Sequence, residues 1–403
     1  MAHAQTLRNA TLIDGSTVDI RIDAAGVIDS ITAAGSGLGG SPADDDIDLS
    51  GLLLLPAPVE PHAHLDKAFL AEVVENPTGD LVGAVQAMRE NQDKLVIPDI
   101  VERSERAARW MATNGFVAVR THADLNVGNG LTSVEALVEL RERVADVIDV
   151  QIVGLSGWPI VGPIGAEQRA LTRAAIDAGI DVVGGCPHLE HLGGGDGTIE
   201  EATDAVFELA AEANLSIDFH ADETLDPTVN GLAHIAKRVL EGFDQPVTAS
   251  HCVSLDQMDE PNRRATIASV AEAGLSIVTL PHTNLFLQGR GCSPMPRGLT
   301  AVTELLDAGV NVAAGADNLQ DPFNPVGRAC PFETAGLAIM ASHRLPHDAW
   351  HMVSAASAEV INRPSGINVG RRTDVIAVEA ATAREAIANG RPPTHRWRAG
   401  VRS

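Results

Sequence analysis

Histidine and acidic residues follow several apolar segments of this 403-residue chain. His62 and His64 are two residues apart in Pro-His-Ala-His, so in an extended segment both side chains point to the same side. His220, His251 and Asp317 each close a later apolar segment. Neutral imidazole and carboxylate groups suit Zn²⁺, Fe²⁺ or Mn²⁺, with one coordination position left for water. These residues therefore predict a metal site, provided that the fold brings them together.

The segments that carry these residues alternate with amphipathic segments of helical length. Eight apolar, β-branched runs have the length of a strand: Leu52–Glu60, Phe116–Ala123, Val147–Leu155, Ile180–Cys186, Leu215–Ala221, Val247–Cys252, Leu275–Leu280 and Val310–Ala316. Strand–helix alternation indicates a parallel sheet, and eight such units predict an α/β fold of the (β/α)8 TIM-barrel type. Active sites of such barrels lie at the carboxyl ends of the strands, which is where the histidines fall. A doubly wound open sheet is the alternative, but no Gly-x-Gly-x-x-Gly follows the first strand.

Both chain ends differ from this pattern. Residues 5–32 contain short strand-like segments around an Asp14-Gly15 turn, and residues 374–378 and 395–401 are again strand-like. We predict a small β-sandwich domain built from residues 1–56 and 365–403, with the barrel at residues 57–364 between them. The segment from Ala34 to Asp46, rich in Gly and Ser and then acidic, is typical of a loop.

Composition excludes several classes of partner. The chain has 29 Lys and Arg against 54 Asp and Glu, a formal net charge of −25. We therefore expect no nucleic-acid partner and no anionic membrane surface, because both bind cationic proteins. No signal peptide or membrane span is visible, and the four cysteines lack the spacing of a disulfide framework, so we expect a soluble, cytoplasmic protein.

The histidine-containing segments, taken together, resemble the amidohydrolase superfamily and, within it, the cytosine deaminase branch. In chain order they are Val59–Lys67, Val119–Asp124, Phe219–Glu223, Thr248–His251, Asn284–Arg290 and Ala316–Asn318. The resemblance implies hydrolytic deamination of a small nitrogen heterocycle or cyclic amidine, a homo-oligomer, and one divalent metal ion per subunit. Relatives with two metals carry a carboxylated lysine at the end of strand four, and Ile180–His188 contains no lysine.

The same resemblance implies roles for individual residues. The metal ligands would be His62, His64, His220 and Asp317, and Asp317 would also take a proton from the attacking water. Glu223 would carry a proton to the ring nitrogen or the leaving amine, and His251 would hydrogen-bond the attacking hydroxide. The residues expected to orient the ligands are His122, Asp124 and His188.

Substrate specificity is expected to differ from that of the cytosine enzymes. Gly157 stands where those enzymes have the glutamine that reads the pyrimidine, and Asn318 stands where they have a second Asp. At the positions of Lys67 and Asn318, this sequence resembles the relatives that remove amines from triazine rings. Hydrolysis of a ring amide, or of an N-alkyl amine on a triazine-like ring, is therefore the alternative activity. The predicted substrate contacts are Lys67, Trp158, Gln288, Asn318, Asp321 and Phe323.

Aromatic side chains are scarce, at 3% of residues with no Tyr, although a flat heterocycle usually stacks on an aromatic ring. Four aromatic residues follow predicted barrel strands: Phe69, Trp158, Phe286 and Phe323. Trp158 lies beside Gly157, so we expect it to have the largest influence on specificity.

Overall fold

The computed structural model of the chain describes residues 3–36 and 46–403, and the elements below are those of this part of the chain. The strands are β1 (Gln5–Thr11), β2 (Thr17–Ile22), β3 (Ile28–Ala33), β4 (Asp46–Asp48), β5 (Leu53–Pro56), β6 (Val59–Ala63), β7 (Ala118–Leu125), β8 (Asp149–Ser156), β9 (Val182–Gly185), β10 (Ser216–Ala221), β11 (Val247–His251), β12 (Ser276–Thr279), β13 (Asn311–Ala314), β14 (Val375–Val378), β15 (His395–Arg398) and β16 (Val401–Arg402). Of the loop predicted over Ala34–Asp46, residues 37–45 lie outside the described residues.

Helices connect and cover these strands. They are α1 (Leu81–Glu90), α2 (Ile97–Thr113), α3 (Thr132–Arg143), α4 (Ala166–Asp177), α5 (Ile199–Ala213), α6 (Gly231–Leu240), α7 (Ser254–Gln257), α8 (Glu260–Ala273), α9 (Pro281–Leu287), α10 (Val302–Asp307), α11 (Pro331–Ser342), α12 (Pro346–Val353), α13 (Ala355–Val360) and α14 (Ala383–Asn389). Short 3₁₀ helices occur at Leu65–Lys67, Gln92–Lys94 and Pro187–Gly193. No helix among the described residues is both long and apolar enough to cross a bilayer.

Strands β6 to β13 form one parallel sheet in which each strand pairs with its neighbours in sequence. A parallel bridge between Ala63, at the end of β6, and Asp317, just past β13, joins the two edges. The predicted (β/α)8 barrel is therefore confirmed. All five residues of β11 are buried, as expected for a parallel strand that is covered on both faces.

The first predicted strand, Leu52–Glu60, is two strands in the structure. Leu53–Pro56 pairs with β14 in the second sheet, and the barrel begins separately at Val59. The apolar run is continuous in sequence, but its two halves have different pairing partners. The strand that carries His62 therefore starts almost directly from the small sheet.

Both chain ends contribute to this second, mixed sheet. Its strand order is β16-β15-β14-β5-β1-β2-β3, with β4 beside β1. Leu7, Ile20, Leu54, Val375 and Trp397 pack together in its core. A β-domain made from both ends is thus confirmed, while the exact boundaries at residues 56 and 365 stay a prediction.

Candidate active site

Four side chains converge at the carboxyl ends of the barrel strands. His62 lies on β6 and His220 on β10, while His64 and Asp317 directly follow β6 and β13. The Nε2 atom of His220 is 3.2 Å from that of His62 and 3.1 Å from that of His64. Asp317 Oδ1 is 3.3 Å from His64 Nε2 and 3.6 Å from His62 Nε2. The structure thus brings together all four predicted metal ligands.

This donor set fits a divalent cation. Nitrogens that share a tetrahedral Zn²⁺ at 2.0–2.1 Å lie about 3.3 Å apart, close to the spacing of the three imidazoles. Burial and the neighbouring His122 lower the pKa of His62 well below its ordinary value, so it is neutral, as a ligand must be. Both carboxylate oxygens of Asp317 are buried, and neither has a hydrogen-bond partner within residues 3–36 and 46–403. Burial, followed by the charge of Asp321, raises the pKa of Asp317 to about 8. A bound cation would offset the free-energy cost of ionising this carboxyl group.

Two of the strand-end residues have a backbone conformation that is rare for residues other than Gly. The φ angles are 68° at His251 and 64° at Asp317, both in the left-handed region. Such conformations cost about 1–3 kcal/mol each and persist where the surrounding structure fixes them, which is common at active sites.

A buried chain of polar groups fixes the orientation of His62. Its Nδ1 is 2.9 Å from Ser250 Oγ, which donates to Asp218 Oδ1 at 3.1 Å. Arg120 Nη1 donates to the other oxygen of Asp218 at 2.8 Å. Although burial raises the pKa of Asp218, His122 and Arg120 bring it below its ordinary value, so the carboxylate is ionised. Since Ser250 gives its proton to Asp218, it accepts from His62 Nδ1–H, which leaves the lone pair on His62 Nε2 directed at the ligand cluster.

We predict that Ser250→Ala weakens metal binding by about 10–100-fold, the usual effect of losing a group that orients a metal-binding histidine. Competition with a chromophoric chelator for Zn²⁺ measures the affinity. The control is Ser254→Ala, since Ser254 is also buried but its hydroxyl has no hydrogen-bond partner among the described residues. Equal Zn²⁺ affinity in the two variants would contradict this role of Ser250.

Glu223 and His251 face each other beside this cluster. Glu223 Oε1 is 3.3 Å from His251 Nδ1, and Asn284 Nδ2 is 3.0 Å and 3.1 Å from these two atoms. Burial, and then the charge of Asp317, raise the pKa of Glu223 well above its ordinary value, so it can hold a proton at neutral pH. Burial and His188 lower the pKa of His251 to about 3. This pair therefore offers a carboxylic acid beside a neutral imidazole.

Asn284 is a site residue that the sequence analysis did not single out. It lies on α9 and its amide contacts both Glu223 and His251, while its Oδ1 is buried and has no hydrogen-bond partner in the described part of the chain. Glu60 is a second one, since it accepts from the backbone N–H groups of His62 and Ala316 and thereby joins the two ligand-bearing strands. Asn284 begins one of the segments that carry the family resemblance, but only its contacts in the structure show that it belongs to the site.

The buried Lys67 and the half-buried Asp124 form an ion pair next to His64. Lys67 Nζ lies 2.8 Å from Asp124 Oδ1, 3.3 Å from Asp66 Oδ1 and 3.0 Å from His64 Nδ1. Burial alone would lower the pKa of Lys67, but Asp124 and Asp66 raise it above its ordinary value. Asp124 therefore acts on His64 through Lys67, rather than by contacting a ligand directly.

The other two residues predicted to orient ligands make backbone contacts. His188 Nδ1 is 3.1 Å from the carbonyl oxygen of His220, and His122 Nδ1 is 3.3 Å from that of Ala63. His122 also lies beside His62, with ring centroids 4.0 Å apart. Both histidines thus support the backbone or the ring of a predicted ligand.

A cavity of about 860 Å³, counting its open mouth, lies over the cluster, and we call it the central cavity. His64, His220, Glu223, His251 and Asp317 line the end that carries the predicted catalytic residues, which we call the catalytic end. The predicted substrate contacts Lys67, Trp158, Asn318 and Phe323 also line it.

The remaining predicted contacts lie outside this lining. Asp321 accepts a hydrogen bond from Asn318 Nδ2 at 2.8 Å, and Gln288 Nε2 is 3.4 Å from the carbonyl oxygen of Glu223. Of the other aromatic candidates, Phe69 stacks on Trp110 and Phe286 lies under Arg290, so neither belongs to the cavity wall.

Helix α1 forms part of the cavity wall and was absent from the predicted elements. Leu81, Val85 and Met88, which have helical i, i+4, i+7 spacing, face the cavity together with Arg89. Asp80 caps the helix by accepting from the backbone N–H of Gly83 at 2.8 Å. That cap and spacing were the signals in the sequence that could have identified it.

Comparison with known proteins agrees with this geometry. The sequence model described as "Amidohydrolase family" matches residues 70–394. A pterin deaminase of Rhizobium rhizogenes strain K84 is 35% identical over 368 residues, which are 89% of this chain and 81% of the relative. An N-isopropylammelide isopropyl amidohydrolase of Pseudomonas sp. strain ADP is 26% identical, over 85% of this chain and 84% of the relative.

A solved structure shares the whole architecture. The 5-methylcytosine deaminase of Klebsiella pneumoniae, liganded with 5-fluorocytosine, superimposes with a TM-score of 0.89 at 27% identity. The superposition covers 98% of this chain and 96% of that chain. The resemblance seen in the sequence motifs is thereby confirmed.

Proposed function

The chain belongs to the amidohydrolase family, and we propose that it is a metal-dependent hydrolytic deaminase of an amino-substituted nitrogen heterocycle. Water replaces the amino group in this reaction. Its oxygen becomes a carbonyl on the ring, one of its hydrogens goes to the ring nitrogen, and the other goes to the departing ammonia. The reaction needs an activated water, a proton acceptor and a proton donor at one end of a ring-sized cavity.

The observation that carries this proposal is the position of the buried Glu223 beside His251 at the edge of the ligand cluster, where burial raises the pKa of Glu223. Glu223 Oε1 and His251 Nδ1 are 3.3 Å apart, and both residues line the central cavity with Asp317. A carboxylic acid with a raised pKa is suited to donate a proton to a ring nitrogen or a leaving amine.

We assign the following roles to the residues of this chain. His62, His64, His220 and Asp317 would hold the ion. A divalent ion bound there lowers the pKa of a bound water to about 7. Asp317 Oδ2, which faces His251 Nε2 at 4.0 Å, accepts a proton from the attacking water. His251 hydrogen-bonds the attacking oxygen. Glu223 Oε1 gives its proton to the ring nitrogen, takes up the remaining proton of the attacking oxygen as the carbonyl forms, and passes that proton to the departing amine. The proton held by Asp317 then returns to Glu223.

Release of a substituted amine from a triazine ring is the second candidate function. The relative named N-isopropylammelide isopropyl amidohydrolase favours it, as do the buried Lys67 and Asn318, which both line the central cavity. Glu223 is the feature that favours loss of ammonia, because triazine amine hydrolases lack the His-x-x-Glu spacing of His220 and Glu223. The two candidates use the same metal site and differ in the leaving group.

We predict that the purified protein loaded with Zn²⁺, Fe²⁺ or Mn²⁺ releases ammonia stoichiometrically with consumption of an amino heterocycle. The panel contains pterins, amino-triazines, cyclic guanidines and pyrimidines, and a coupled ammonia assay measures turnover. The same protein after chelation is the control, and activity should return on adding metal. Release of isopropylamine without ammonia would favour the second function, and a profile dominated by cytosine would contradict the reading of Gly157 and Asn318.

A further inference from the structure

We propose that the substrate ring carries an acidic substituent at the edge away from the amino group, and that Arg89 and Trp158 bind this substituent. The inference rests on the proposed deaminase function and deepens it, because it names a class of substrate: a heteroaromatic amine, wider than one ring, with a carboxylate. The contacts of the central cavity carry the argument.

The central cavity continues past the catalytic end. A second opening, which we call the outer groove, is lined by residues of α1, the Asn126–Gly128 segment, the Trp158–Pro159 segment and α4. Arg89, Gln92, Asn126 and Trp158 line both spaces, so they mark the passage between them. Glu223, His251 and Asp317 line the central cavity alone. Arg89 and Trp158 therefore lie where the central cavity borders the outer groove.

The wall between these two ends is apolar. Its side chains come from α1, the strand ends and the segment after β9: Leu81, Val85, Met88, Leu95, Leu155 and Leu189. Apolar walls with few polar groups at fixed places are typical of sites for flat organic ligands. A single six-membered ring would occupy the catalytic end and leave this wall in contact with water, so the wall indicates a longer ligand.

Arg89 is placed to receive a negative charge. Its guanidinium lies 4.8 Å from the centroid of the Trp158 ring. In the part of the chain that the structure describes, no carboxylate lies within ion-pair distance of Arg89, whereas Arg103 and Arg109 on the neighbouring α2 each pair with an acidic residue one turn earlier. Stacking on an indole leaves the N–H edge of a guanidinium open, and that edge binds a carboxylate with two parallel hydrogen bonds.

The charges around Arg89 favour an acid rather than a base. Glu167 is the carboxylate of the outer groove, and it lines only that groove, not the central cavity. Gln92 and Asn126, which share the passage with Arg89, are neutral. The ring of Trp158 holds the guanidinium of Arg89 at this border between the two spaces.

The experiment compares two substrates that differ only in the acid: 2-amino-4-oxopteridine and its 6-carboxylate. Wild-type enzyme should have the higher kcat/KM for the carboxylate, and Arg89→Met should lower the ratio of the two kcat/KM values by at least about tenfold, mainly through KM. Arg89→Lys should restore part of the ratio. Arg106→Met is the matched control, because Arg106 is another exposed helical arginine stacked on an aromatic ring, Phe69, outside both spaces.

Each outcome bears on one of the two proposals. A ratio that Arg89→Met leaves within about twofold of wild type, or moves no further than Arg106→Met does, overturns the role of Arg89. A wild-type preference for a 6-aminomethyl substituent overturns the assigned charge. Ammonia release from single-ring amines but from neither pteridine refutes this inference and leaves the deaminase function standing. No ammonia from any heterocycle in metal-loaded protein refutes the deaminase function itself.

Discussion

Replacing His62 and His64 together with Ala is expected to remove bound metal and to lower turnover by more than about 10⁴-fold. Both Nε2 atoms lie within 3.2 Å of His220 Nε2, so the double variant leaves one imidazole and Asp317 as ligands. Two ligands do not hold a divalent ion firmly in a site that normally uses three or four. Elemental analysis of the purified variant gives the metal content, and ammonia release gives the activity.

A matched double variant separates this effect from loss of histidines in general. His234→Ala/His347→Ala removes two histidines from α6 and α12, outside the central cavity. It should keep both metal and activity, and circular dichroism should show the same helix content in both variants. If the His62/His64 variant retained full activity, the proposed metal centre would be wrong.

Glu223→Gln is expected to lower kcat by about 10²–10⁴-fold while the bound metal stays in place. The substitution keeps the shape of the side chain, and its carbonyl oxygen can still accept from Asn284 Nδ2, now 3.0 Å from Glu223 Oε1. It removes the proton that burial and Asp317 hold on Glu223 through a raised pKa. KM should change little, because Glu223 acts on the proton in the transition state rather than on the bound ring.

Glu190→Gln is the control for the loss of a buried carboxylate. Glu190 is buried like Glu223, but it accepts from the backbone N–H groups of Ile160 and Val161 and does not line the central cavity. Its variant should retain a kcat within about tenfold of wild type. Loss of metal in Glu223→Gln, or a kcat near that of wild type, would show that Glu223 is not the proton carrier.

The elements that could be predicted from the sequence were the strands and helices with a regular hydrophobic pattern. Barrel strands and helices alternate regularly along the sequence. In a parallel barrel the carboxyl ends of all strands lie on one face, so the sequence alone predicted a single group containing His62, His64, His220 and Asp317. Their mutual distances follow from the fold class rather than from local detail.

The unpredicted parts depend on contacts between distant segments. Nothing within Leu52–Glu60 shows that Leu53–Pro56 pairs with β14, because that partner lies roughly 300 residues away in the sequence. The series of polar contacts from Arg120 through Asp218 and Ser250 to His62 joins four strands. No spacing of residues in the sequence could have predicted it. Asp321 and Gln288 stand close to catalytic residues in sequence, yet they lie outside the cavity lining, because proximity along a loop does not fix which way a side chain points.

The pairing of β5 with β14 has a consequence for the order in which the molecule is completed. During synthesis all eight barrel strands leave the ribosome before residues 375–378, which supply the antiparallel partner of Leu53–Pro56. Until then β5 has β1 as its partner and an open hydrogen-bonding edge on the other side, directly before Ala57, Pro58 and β6. We therefore expect the newly made barrel to acquire its metal-binding geometry late, once residues 375–378 have been synthesised and have paired with Leu53–Pro56, the strand that precedes the His62 strand.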